Sequence, residues 1–204
     1  MKFMGIIALT LGIVCVLDTT FVYGYPFITS ISESATIGNK TGMLLPFALG
    51  CMFTFCFSYV GYNETERSLV HTMGYFFLLV AMQICASPYV TENKVGLLGL
   101  RPVLSNSIHS ISAIIGFGLM WIWVMFFFTK STPNGTVTRQ KRMRNKLYYT
   151  MGILMFFGFL LLILGRLGAF RSGFPYTWLA EEFILIPAGI AILVKSGVFL
   201  RDKR

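Results

Sequence analysis

The sequence predicts an all-α protein, a polytopic transmembrane bundle of six helices, and two observations support that prediction. Hydrophobic residues make up 55% of the 204 residues and charged residues 12%, about half the charged fraction of a soluble domain. This little charge cannot cover a water-soluble globule, and the same composition excludes intrinsic disorder. In addition, six apolar stretches each approach the roughly 20 residues that a membrane-crossing helix needs. We therefore expect a single transmembrane domain over residues 1–204.

The six predicted spans account for most of the chain. They lie at about 4–22, 42–60, 69–87, 106–129, 147–165 and 179–200. The first begins after Lys2 in the manner of a signal peptide, but no small-residue cleavage site closes it, so we interpret it as a retained helix. The longest intervening segments, 23–41, 88–105 and 130–146, are each under twenty residues. No soluble domain fits between the spans.

The basic residues orient these helices. Eleven of the 17 lysines and arginines lie on one side of the predicted spans, five lie on the other, and Lys195 lies within the last span. Because cytoplasmic loops carry the excess of Lys and Arg, both termini and the basic segment 130–146 are predicted to be cytoplasmic. The net charge of +9 then reflects topology and contact with anionic lipid headgroups, and no nucleic-acid partner is expected.

Small residues and cysteines are assigned to packing. Gly5 and Gly12 share a face of the first helix, and Ser112 and Gly116 form a small-residue pair on the fourth, as is typical of helix contacts in membranes. The four cysteines all fall in apolar runs and form no CxxC or Cys/His cluster, so we interpret them as buried small hydrophobes. Neither a metal site nor a cofactor is expected.

Ionisable side chains at membrane depth are costly unless they are paired or hydrated, which makes them candidate site residues. With the predicted orientation, five such groups fall in the outer half of the bundle: Asp18, His109, Arg166, Glu181 and Glu182. Adjacent Glu181 and Glu182 point about 100° apart, and we favour Glu182 as the inward carboxylate. Two interpretations stay open: a ligand-facing site, or a structural network in which His109 or Arg166 neutralises Glu182.

One face of the fourth helix extends this candidate site. Ser105, His109 and Ser112 follow each other at spacings of four and three residues, so they lie on the same face together with Gly116. A face that is small and polar suits either a partner helix or a ligand headgroup.

The preferred function is an outer-half polar cavity that binds or moves a lipid headgroup or a small amphiphile, and no catalytic residue is assigned. Because histidine changes charge near neutral pH, His109 is expected to gate binding. Membrane lipids are the expected partners, and a homo-oligomer is left open. The first alternative is an intramembrane hydrolase or transferase that uses His109 and Glu182, with Ser105 or Ser107 as nucleophile. The second is a non-catalytic structural or partner-binding membrane protein.

The sequence contains no GxSxG, HExxH, P-loop or GxGxxG motif that would name a reaction. Its two histidines lie on opposite faces of the predicted membrane, so they cannot build the three-histidine zinc site of seven-helix hydrolases.

Four short motifs occur in an order that carries a family resemblance. They are PFITSISE at 26–33, SIHSISA at 107–113, RNKLYY at 144–149 and AEE at 180–182. In this order the chain resembles the six-helix DRAM/Sfk-type membrane proteins, and RNKLYY and the C-terminal segment are similar to a group of bacterial six-helix proteins. The resemblance implies termini inside the cell and points to His109, Glu181 and Glu182 as shared polar positions. Where the family has Pro-Glu after the outer loop, this chain has IGNK at 37–40. A bacterial inner membrane is the expected location.

Overall fold

The computed structural model describes residues 1–25, 27–37, 43–85, 87–130 and 138–200. Six α-helices make up most of these ranges: Lys2–Leu17 (α1), Leu44–Ser58 (α2), Glu64–Met82 (α3), Pro102–Ile122 (α4), Arg139–Arg166 (α5) and Tyr176–Lys195 (α6). Five-residue π-helical turns extend α1 and α4, at Asp18–Val22 and Trp123–Phe127. A 3₁₀-helix, Ile31–Thr36, lies between α1 and α2. Within the described ranges there is no strand, only an isolated antiparallel bridge between Val95 and Leu100.

The predicted all-α fold class is confirmed, and each predicted span coincides with a helix whose boundaries are shifted. Helix α3 begins at Glu64 rather than 69 because the Asn63 side chain caps it, accepting a 2.8 Å hydrogen bond from the Glu66 amide. It ends at Met82 rather than 87. Helix α6 ends at Lys195 rather than 200, just before Gly197 takes a left-handed conformation with φ of 75°.

Among the described residues, four helical stretches are long and apolar enough to cross a membrane: Lys2–Val22, Pro102–Phe127, Arg139–Arg166 and Tyr176–Lys195. Helix α2 is apolar but has only 15 residues, and α3 opens with the polar run ETERS at 64–68. This set of helices is compatible with a multi-pass membrane protein.

Helices α1 and α6 pack antiparallel through glycines. A Cβ atom on Gly189 would lie 2.8 Å from both the Gly5 carbonyl oxygen and the Leu9 amide nitrogen. Further along the same pair, a Cβ on Gly12 would overlap the carboxylate of Glu182. The predicted packing face of Gly5 and Gly12 is therefore the contact with α6. It places the start of α1 beside the end of α6, at what we call the terminal end of the bundle.

The remaining helices continue the up-and-down pattern. Helix α3 packs between α2 and α4, α5 packs against α6, and every sequential pair from α2 onward is antiparallel. Helices α4 and α5 touch near the terminal end, where the Trp121 indole donates a 2.8 Å hydrogen bond to the Gly152 carbonyl oxygen. The opposite end, which we call the loop end, carries three connections, described at 23–25 and 27–37, at 83–85 and 87–101, and at 167–175.

Helix α6 is the central element of the bundle. Eleven of its 20 residues are buried, whereas only four of the 28 residues of α5 are. Because α5 is held mainly by α6, it leaves a gap beside α4 at the loop end.

Candidate functional site

A cavity of about 580 Å³ occupies the gap between α4 and α5 near the loop end. Helix α6, the segment 29–32 and Cys85 form its remaining walls. It opens at the surface between the two helices, where Ile114 and Ile163 are 60% and 55% exposed. The volume lies within the range of about 300–1,000 Å³ that is usual for small-molecule sites.

The lining of this cavity separates into a polar and an apolar part. The polar residues come from the loop end: Thr29, Ser30, Ser32, Asn106, His109, Ser110, Arg166, Thr177 and Glu181. Most of the apolar residues lie deeper along the helices, namely Ala113, Ile114, Phe117, Phe159, Leu162, Ile163 and Ile184, whereas Cys85, Leu167 and Tyr176 line the loop end. A cavity that is polar at one end and apolar at the other matches the chemistry of an amphiphile.

His109 is held by hydrogen bonds at both ring nitrogens. Its Nδ1 lies 2.9 Å from the carbonyl oxygen of Gln83, where α3 has just ended. Its Nε2 lies 2.9 Å from the hydroxyl oxygen of Ser32. The imidazole is only 5% exposed, so it joins the end of α3 to the 3₁₀-helix that follows α1.

Carboxylates fix the segment around Ser32. Glu181 on α6 accepts a 2.6 Å hydrogen bond from the Ile31 amide. Glu33 accepts bonds from the Thr29 amide at 2.6 Å and the Thr29 hydroxyl at 2.9 Å. The Ser30 hydroxyl caps the 3₁₀-helix by accepting from the Glu33 amide at 3.1 Å. The chain on both sides of Ser32 is thereby held in place.

A second cavity, of about 400 Å³, lies on the other side of His109. It is enclosed mainly by the start of α2, the end of α3 and the same 3₁₀-helix. Ser32, Cys85 and His109 line both cavities, so these three side chains form the wall between them.

The structure brings three of the predicted site residues to the first cavity, namely His109, Arg166 and Glu181. Arg166 ends α5 with an exposed side chain and forms no ion pair with any described residue. Glu181 lines the same cavity, and no salt bridge joins the two side chains.

The other four predicted residues line neither cavity. Ser105 is buried against the residues that follow α3. Its hydroxyl donates to the Gln83 side chain at 3.2 Å and accepts from the Ile84 amide at 3.0 Å. Ser112 is buried on the same face of α4, which packs against α3. Asp18 begins the π-helical turn after α1.

Glu182, the carboxylate we favoured, is buried against Gly12 of α1, and neither of its oxygens has a hydrogen-bond partner among the described residues. The network in which His109 or Arg166 neutralises it does not form, because the ring nitrogens of His109 bond Ser32 and Gln83.

Two features of the structure, one at the candidate site and one structural, escaped the sequence analysis. Ser32 and Gln83 are separated from His109 by 77 and 26 residues, so no local spacing links them. At the terminal end, Glu66 is fully buried and accepts hydrogen bonds from the Tyr59 hydroxyl, the Tyr62 amide and the Trp123 indole at 2.8–2.9 Å. Its three donors come from the connection between α2 and α3 and from the π-helical turn after α4, so this cluster is a structural clamp.

Among the described residues, no group of three or more His, Cys, Asp and Glu side chains is placed to hold a metal ion. No protein-family model, curated protein or solved structure matches the chain.

Proposed function

We propose that this chain is a six-span membrane protein whose α4–α5 cavity binds or moves a lipid headgroup or small amphiphile. The observation that carries the proposal is the cavity itself, with its polar loop end, its apolar depth and its opening between two apolar helices. A lipid can enter such an opening sideways, keeping its chains against apolar side chains and its headgroup against polar ones.

The packing supports a six-span topology with both termini on one side. Helix α2 packs against α1 and α3, and α3 packs against α4. The two helices therefore lie side by side with the four longer apolar stretches. The start of α1 lies against the end of α6, which is the arrangement that an even number of spans requires. The basic start of α5 lies at that terminal end, where Arg144 donates a 2.7 Å hydrogen bond to the Leu200 carbonyl oxygen. The positive-inside rule then favours cytoplasmic termini and a cavity in the outer leaflet. A bacterial inner membrane and membership of the DRAM/Sfk-type family remain part of this proposal.

Arg166 favours an anionic headgroup. Its guanidinium is a fixed positive charge at the mouth of the cavity and has no carboxylate partner in the described chain. A planar guanidinium binds phosphate or carboxylate oxygens through two parallel hydrogen bonds. Asn106, Ser110 and Thr177 beside it add uncharged polar groups to the same mouth.

Native mass spectrometry with phosphatidylglycerol and phosphatidylcholine tests the proposal. Ile114→Trp fills the cavity, whereas Ile111→Trp, on the same helix and 58% exposed but outside the cavity, is the matched control. We expect lipid adducts on the wild type and the control and an at least tenfold lower adduct fraction on Ile114→Trp. Arg166→Gln should abolish the preference for phosphatidylglycerol. Equal adduct fractions for the two tryptophan variants would contradict the proposed site.

A further inference from the structure

The Ser32 hydroxyl and the His109 imidazole have the geometry of a nucleophile and its general base. A carbonyl oxygen can only accept, so Nδ1 of His109 carries the proton in its 2.9 Å hydrogen bond to the Gln83 carbonyl. In the neutral imidazole Nε2 is then the unprotonated nitrogen, and the Ser32 hydroxyl donates to it over 2.9 Å. A serine bonded to a histidine that a third group orients is the recurring arrangement of nucleophilic catalysis.

Ser32 is accessible while its base is shielded. Ser32 is half-buried and faces both cavities, whereas His109 is buried. The residues on either side of Ser32 are fixed, since the Ile31 amide is bound by Glu181 and the Glu33 amide by Ser30. The hydroxyl is therefore presented from a rigid segment, which is what a reacting group needs to keep its alignment.

We propose that Ser32 and His109 catalyse acyl transfer from an acyl ester lipid held in the α4–α5 cavity. This inference rests on the proposed function, because the substrate is the amphiphile that the cavity binds. In the first step the Ser32 oxygen attacks the ester carbonyl while its proton moves to Nε2 of His109. The tetrahedral intermediate then expels the alcohol part of the lipid, which takes that proton and leaves an acyl ester on Ser32. Water or an acceptor alcohol attacks the acyl ester in the same way, releases the acyl group and returns the proton to Ser32.

The position of the two residues specifies the substrate class. In an acyl lipid the ester carbonyl lies between the headgroup and the chain. Ser32 and His109 lie between the polar mouth with Arg166 and the apolar depth with Phe117 and Phe159. His109 is also seven residues into α4, about 10 Å along its axis from Pro102. The substrate is thus an acyl ester with an anionic headgroup.

Labelling with an alkyl fluorophosphonate, followed by peptide mass spectrometry, tests this assignment on the full-length protein in detergent. The wild type should carry the phosphonyl group on Ser32, formed by displacement of fluoride. Ser32→Ala should lose the label, and His109→Gln should slow labelling by about 10²–10⁴-fold, the usual contribution of a general base. Ser58→Ala is the matched control, since this exposed serine at the end of α2 donates to the Thr54 carbonyl oxygen and lines neither cavity; it should be labelled on Ser32 at the wild-type rate.

Phosphatidylglycerol binding is measured on the same samples to separate this inference from the proposed function. A wild type that binds the lipid but is not labelled on Ser32 would overturn the acyl-transfer inference and leave the binding site intact. Labelling on Ser32 without lipid binding would support the nucleophile and contradict the proposed function. Because the label is mapped on the wild type, this test does not depend on the folding of His109→Gln.

Discussion

The contact between α1 and α6 gives the sharpest stability prediction, the effect of Gly189→Ala. The added Cβ would lie 2.8 Å from the Gly5 oxygen and the Leu9 nitrogen, about 0.6 Å short of the 3.4 Å at which ordinary contact begins. Both obstructing atoms are backbone, so no side chain can rotate away, and the helices must separate. Overpacking of this kind costs about 1–3 kcal/mol. In a protein of this size each kcal/mol corresponds to about 2–4 °C, so we expect a fall of about 2–12 °C in Tm.

Gly118→Ala is the matched control for that variant. Gly118 also lies inside an apolar helix, but a Cβ there meets nothing within 4 Å. Both substitutions gain the same helix propensity, up to about 1 kcal/mol, so the difference between the two melting temperatures isolates the cost of packing. Thermal unfolding in one detergent, followed by tryptophan fluorescence and size-exclusion chromatography, measures it. If Gly189→Ala melts at or above the temperature of Gly118→Ala, α1 and α6 are not in backbone contact.

Two further predictions concern the buried clamp and the wall between the cavities. Trp123→Phe removes a hydrogen-bond donor to the buried Glu66 carboxylate and should lower the free energy of unfolding by about 1.5–3 kcal/mol. Trp121→Phe removes a hydrogen bond to a neutral carbonyl and should lower it by only about 0.5–1.5 kcal/mol. Equal losses of stability in thermal melts would contradict the clamp. Cys85 lines both cavities, whereas Cys51 lines neither. Phosphatidylglycerol should therefore slow the modification of Cys85 by N-ethylmaleimide and leave that of Cys51 unaffected. Equal slowing at both cysteines would argue against a lipid in the cavity.

The helices were predictable because each is encoded locally. Apolar runs of membrane length and the glycines at 5 and 12 are readable without knowledge of the fold. The boundaries of α3 were less accurate because its first turn is polar, and a hydropathy pattern does not register a helix start that is capped by a side chain.

The candidate site was predictable only in part, because depth along a helix does not fix direction around the bundle. Grouping by depth selected His109, Arg166 and Glu181, and the structure places all three on one cavity. It equally selected Glu182, which the 100° step between neighbouring residues turns toward α1. Ser32 lies in a connecting segment, where no periodicity predicts which side chain faces inward. Its pairing with His109 exists only because the 3₁₀-helix folds back onto α4.

Adjacent Glu181 and Glu182 provide a last prediction in which the same substitution has opposite effects. Glu181 accepts the hydrogen bond of the Ile31 amide, so Glu181→Met strands that donor and should lower the free energy of unfolding by about 1–3 kcal/mol. Glu182 is 6% exposed, and its oxygens have no hydrogen-bond partner in the described part of the chain. Methionine has a similar volume and needs no partner, so Glu182→Met should raise the free energy of unfolding by a comparable amount. Thermal melts of both variants in one detergent show whether each substitution raises or lowers the free energy of unfolding. A loss of stability in Glu182→Met would show that the wild-type Glu182 carboxylate has a bonding partner in solution. Glu182 would then belong to the ligand site that the sequence predicted.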